Sequence, residues 1–238
     1  MRAAGAPGIG ALRSQPAGLA LARAGIMLAG LALALALRLD VAGGLGTGHL
    51  GSGYRPIAAG LVFALALFAI AWAARGPRWS GSDLIPHRHT GRVPRNAMPV
   101  ATNAGGGALA LAWGILGAAV LVSFPLGFRL SGAIPGTGFP FGDFPLWASI
   151  VTLVAVAEEV LLRGVLFAAV EEALGTVLAV VVTAAAFALV HVPLYGPTVL
   201  PLDCAVGIWL GTLRVVSRSV VAPATAHTLA DLVAWWLA

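Results

Sequence analysis

The chain has 238 residues, 59% of them hydrophobic and only 10% charged, with a mean hydropathy of +0.94. Soluble domains carry roughly a quarter charged residues, so this composition excludes an ordinary soluble globular protein. The net charge of +5 comes from arginine without lysine. Because the arginines are scattered between apolar runs, with no basic stripe interleaved with aromatics, topology-setting loops explain them and nucleic acid does not. The single cysteine, Cys204, excludes an intrachain disulfide framework.

Residues 1–16 read as a short N-terminal tail. Residues 17–37 are apolar apart from Arg23, and are long enough to cross about 30 Å of hydrocarbon. They exceed a signal-peptide core, so the segment reads as a retained helix, with Arg23 snorkelling to the headgroups. A Gly-rich stretch follows, then a second span at 56–74 and a polar stretch at 75–99 with five arginines, His87 and His89. A third span is expected at 105–124, followed by a Gly/Pro/Phe-rich loop at 125–145. Four more apolar segments lie at 146–170, 174–192, 199–213 and 219–238; the sixth span is short and Pro-flanked. The fold class is therefore all-α: a polytopic membrane helix bundle of about seven spans, six to eight being compatible. Residues 17–144 supply the N-terminal helices and 145–238 a catalytic core. Arginine counts place nine inside against three outside if the N-terminus is inside.

Charges inside bilayer-spanning segments are costly and mark functional sites by default. Glu158, Glu159 and Arg163 interrupt the fourth span. Glu159 and Arg163 have the favourable i,i+4 order for a helical ion pair, which leaves Glu158, about 100° around the helix, available for proton transfer. In the fifth span Phe187 and His191 share a face, and in the last His227 and Asp231 do. Asp231 can accept a hydrogen bond from one imidazole nitrogen and fix the other's tautomer. Asp203 reads as interfacial, and His49, His87 and His89 as loop residues. Glu158, His191 and His227 suit two chemistries. Glu158 and His191 can take a proton from water while His227 stabilises an oxyanion, or the three can hold a divalent metal such as zinc. A bundle using the same residues as a binding cavity or an ion path is the non-catalytic alternative.

The ordered motifs E-E-x-x-x-R at Glu158–Arg163, F-x-x-x-H at Phe187–His191 and H-x-x-x-D at His227–Asp231 resemble those of the CAAX protease and bacteriocin-processing (CPBP, or Abi) family of intramembrane peptidases. The similarity covers about 145–238. It implies hydrolysis of a peptide bond in a membrane-associated protein or peptide, within a multi-pass prokaryotic-type cell membrane. Under it Glu158, His191, His227 and Asp231 are catalytic, and Glu159, Arg163 and Phe187 support the site. It favours a metal-independent glutamate mechanism with no cofactor. Where the prenyl-protease branch usually has Asn, this chain has Asp231, which would accept from His227 and favour a donating imidazolium. Nothing in the sequence specifies a prenyl pocket.

Overall fold

The computed structural model describes residues 17–43, 54–75, 104–130 and 143–237. The expected tail at 1–16, the arginine-rich stretch beyond Arg75, and His49, His87 and His89 lie outside the described residues. Every described element is helical: α1 (Ala17–Gly43), α2 (Arg55–Arg75), α3 (Ala104–Leu130), α4 (Phe144–Glu159), a π-helical segment (Val160–Leu166), α5 (Phe167–Leu174), α6 (Thr176–Tyr195), α7 (Leu200–Ser217) and α8 (Val221–Leu237). Since α4, the π segment and α5 follow without a break, they form one rod, so the described residues make seven rods. Five helical stretches are long and apolar enough to cross a membrane. The two rods outside that set are the composite one, interrupted by its π turn, and α8, which is 17 residues long. The protein is an integral membrane protein of the polytopic helical class.

Large apolar side chains point outward along the bundle: Ile26 and Leu33 of α1 and Val177 of α6 are each more than 70% exposed. In lipid this exposure costs nothing, because the surrounding chains are as apolar as leucine. Inside, Met27 and Leu31 of α1, Phe63 and Leu67 of α2 and Leu161, Leu162 and Phe167 of the composite rod form a continuous core. The first two helices are antiparallel. Arg23, near the start of α1, donates to the carbonyl of Ala74 at the end of α2 (3.0 Å), and the Arg38 guanidinium lies 4.8 Å over the Phe63 ring. Arg23 thus caps the end of α2.

The helix ends follow from local chemistry. Asp143 caps α4, its Oδ1 accepting from the Leu146 amide (3.3 Å), and Pro145 sits in the first turn, where its missing N–H is no loss. The expected loop at 125–145 is accordingly shorter, since α3 runs through Pro125 to Leu130. Gly175 (φ 86°) and Gly196 (φ 85°) end α5 and α6 in backbone conformations that side chains resist. A short 3-10 turn, Pro197–Val199, then reverses the chain into α7, a full 18-residue helix where a short span was expected.

Close approach through glycine sets the pairings that matter for the site. On α7, a Cβ at Gly207 would lie 2.8 Å from the Ala184 Cα of α6, and one at Gly211 would lie 3.1 Å from Val180. On α3, a Cβ at Gly114 would meet Thr225 and the Ala222 carbonyl of α8, and Gly117 accepts a hydrogen bond from the Trp209 indole (3.2 Å). Gly207→Ala is expected to destabilise the protein by about 1–3 kcal/mol, because the obstructing atom is backbone and cannot rotate away. Thermal unfolding in detergent measures this, and an unchanged midpoint would refute the tight α6–α7 packing.

Candidate active site

The polar side chains expected on separate spans converge in the interior. Glu159 and Arg163 are fully buried and Glu158 is 3% exposed. The Glu159 Oε1 accepts from Arg163 Nη1 at 2.8 Å, and the same oxygen accepts from His227 Nδ1 at 3.0 Å. Arg163 also donates through Nη2 to the carbonyl of Gly207 (3.1 Å). One carboxylate therefore ties the composite rod to α8, and one guanidinium ties it to α7. A carboxylate removed from water needs such charged donors to stay ionised.

The π segment begins immediately after Glu159. A π turn widens the helix by one residue and interrupts the i to i−4 ladder. Here the carbonyl of Arg163 accepts from Arg214 Nε at 3.0 Å, and the Arg214 guanidinium lies 5.4 Å over the Phe167 ring. The widened turn is thus held from α7.

Phe187 occupies the centre of the cluster. Its ring lies 4.5 Å from that of His191, 5.3 Å from that of His227 and 4.9 Å from the Arg163 guanidinium carbon. It separates the two imidazoles and presents its face to the cation. His191 donates from Nδ1 to the carbonyl of Phe187, one turn back (2.8 Å), which leaves Nε2 with the lone pair. His227 is held differently from the expectation. Its Nδ1 is taken by Glu159, not Asp231, and Asp231 Oδ2 faces Nε2 at the looser distance of 3.5 Å. The ring can donate through Nε2 only as an imidazolium.

Glu158 contrasts with its neighbour. Among the described residues no hydrogen bond or ion pair reaches its carboxylate, although it lies within electrostatic range of Arg163, Asp203, His227 and Asp231. The rod from 144 to 174 is roughly 45 Å long at 1.5 Å per residue, longer than the hydrocarbon, so its ends are poor markers of depth.

Asp203, expected to be interfacial, also reaches the cluster: its Oδ2 is 4.0 Å from His191 Nδ1. The sequence carried a signal for it. Asp203, Gly207 and Gly211 are spaced by four residues, so they share the face that the glycines press against α6. Tyr195, whose ring stacks 5.8 Å from His191, was also missed.

Among the described residues no three His, Cys, Asp or Glu side chains are grouped to hold a metal ion. Nδ1 of His227 faces Glu159 and its Nε2 faces Asp231, while Nδ1 of His191 faces the Phe187 carbonyl and leaves Nε2 open.

With this geometry in place, comparison adds the family. Residues 140–233 match the family model described as Rce1-like, type II CAAX prenyl endopeptidase. This segment is similar to the Rce1-like family. The matched segment takes in α4, the π segment, α5, α6, α7 and most of α8, and so contains each residue of the polar cluster. The family supports an intramembrane endopeptidase at that level, and hence a peptide or protein substrate met at the bilayer. No curated protein and no solved structure matches the chain.

Proposed function

We propose that the protein hydrolyses a peptide bond of a membrane-associated protein or peptide with a water activated by Glu158 and His191. The observation that carries this reading is the buried Glu158 carboxylate, which has no hydrogen-bond or ion-pair partner among the described residues while a histidine from each of two other helices joins the same cluster. A structural carboxylate at that depth would be paired, as Glu159 is.

In the proposed step a water oxygen attacks the scissile carbonyl carbon and one of its protons passes to Glu158 or to His191 Nε2. The carbonyl oxygen becomes an oxyanion, which His227 Nε2 stabilises as a donor when the ring is an imidazolium. When the carbon–nitrogen bond breaks, the proton taken from water goes to the leaving amine. Glu159 holds Arg163 in place and balances the charge on His227 from the Nδ1 side, while Asp231 stands beside the same Nε2 that meets the oxyanion. Phe187 spaces the two rings. The arginine distribution supports an N-terminus inside.

The test is purified protein in detergent with a peptide library and a CAAX-ended peptide, farnesylated and unmodified. Wild type is expected to cleave at a rate that EDTA leaves unchanged. His191→Ala is expected to lower that rate about 10²–10⁴-fold, the usual contribution of a proton-transfer group. Equal cleavage by wild type and His191→Ala would overturn the mechanism, and loss of wild-type cleavage in EDTA would overturn its metal independence. The ratio of rates on the two CAAX peptides reads whether a prenyl chain is recognised.

A further inference from the structure

We infer that Asp203 is a positioning residue for His191, acting on the side of the ring opposite the nitrogen that takes the proton. The inference rests on the assignment of His191 as part of the proton-accepting pair, and adds a group that none of the three motifs contains. Asp203 enters from α7, where the Gly196 turn and the 3-10 segment return the chain so that the first turn of α7 packs beside the last turn of α6. Its side chain is 17% exposed and that of His191 16%, so both are largely withdrawn from solvent. The Asp203 Oδ2 is buried and has no hydrogen-bond partner among the described residues, and it stands 4.0 Å from His191 Nδ1.

At 4.0 Å the contact is too long for a hydrogen bond, and the Nδ1 hydrogen already belongs to the Phe187 carbonyl. What Asp203 supplies is therefore charge. A carbonyl fixes the tautomer, but only a full negative charge stabilises the imidazolium that forms when Nε2 accepts a proton from water. Among the described residues the titratable and charged groups facing this region include Asp203 from α7, Asp231 and His227 from α8, Glu158 from α4 and Arg38 from α1, with Tyr195 stacked on the ring from its own helix. Asp231 is already 3.5 Å from His227 Nε2, and Glu158 is assigned to the water. Among the described residues Asp203 is the carboxylate within ion-pair distance of His191 Nδ1. The arrangement is that of a carboxylate behind a histidine base, reached from a different helix and without a direct hydrogen bond.

The expected result is a split between kinetic constants. With the farnesylated CAAX peptide, or whichever library peptide wild type cleaves best, Asp203→Asn should lower kcat about 10–100-fold and leave KM within about twofold. Asp203→Glu should recover most of the loss, because it restores the charge. Asp203→Ala provides the same comparison should the amide variant fold poorly. Unchanged kcat in Asp203→Asn, or a loss that Asp203→Glu does not repair, would overturn the inference. So would an effect confined to KM, which would make Asp203 a substrate contact. Running His191→Ala and Glu158→Gln beside them separates two failures. If those two variants are inactive while Asp203→Asn is not, only the role of Asp203 falls. If they remain active, the catalytic assignment falls and the Asp203 inference with it.

Discussion

Glu158→Gln is expected to lower peptide cleavage about 10²–10⁴-fold while leaving the protein as stable as wild type or slightly more so. The two halves of this result come from one feature. Glu158 is a buried carboxylate with no hydrogen-bond or ion-pair partner among the described residues, and acidic groups at Asp203 and Asp231 lie within electrostatic range, as do Arg163 and His227. Glutamine keeps the shape and removes the charge, so it relieves repulsion without opening a cavity. It also removes the group assigned to take the proton. Groups that are strained or uncompensated in the folded state and necessary for activity are where stability and function trade against one another. Cleavage assays paired with thermal unfolding in the same detergent measure both halves. A variant that remains active would remove Glu158 from the mechanism, and one that is inactive because it unfolds would show the carboxylate to be structural.

Glu159→Gln is expected to give the opposite pattern, with a loss of stability of about 3–5 kcal/mol, the usual consequence of removing one partner from a buried ion pair. The Glu159 Oε1 accepts from both Arg163 and His227 at full burial, so the amide leaves a guanidinium without its counter-charge and gives the imidazole a neutral acceptor in place of a charged one. Arg163→Leu should cost a similar amount, for it strands Glu159 and the carbonyl of Gly207 together. The double variant Glu159→Gln/Arg163→Leu should be markedly less damaging than the sum of the two, since each single change leaves a charge that the second removes. Denaturant or thermal titration of the four proteins measures this coupling. Additive losses would show that the two residues do not act as a pair.

The two neighbouring glutamates show how far linear reasoning reaches. Glu159 and Arg163 are four residues apart on one rod, and that spacing alone predicted their contact, which the structure places at 2.8 Å. Local periodicity fixes local neighbours. The same reasoning assigned the bond that orients His227 to Asp231, four residues along its own helix. The closer acceptor is Glu159, 68 residues away in sequence, because the packing of α8 against the composite rod brings the two within 3.0 Å. Pattern within a helix is blind to such a partner.

Composition, hydropathy and arginine placement were enough to establish a polytopic helical membrane protein, since the bilayer permits few alternatives to apolar helices of fixed length. They located seven rods to within a few residues of the ends seen here. The ordered motifs were enough to point to the family whose model matches residues 140–233. The tertiary structure decided matters that depend on which helix faces which. It placed Asp203 beside His191, let Gly207 press against Ala184 and offer its carbonyl to Arg163, and anchored the π turn through Arg214. These contacts join elements far apart in the chain. In a membrane, where apolar burial does not distinguish one helix face from another, small residues and buried polar partners determine the packing. Their effect appears only once the helices are assembled.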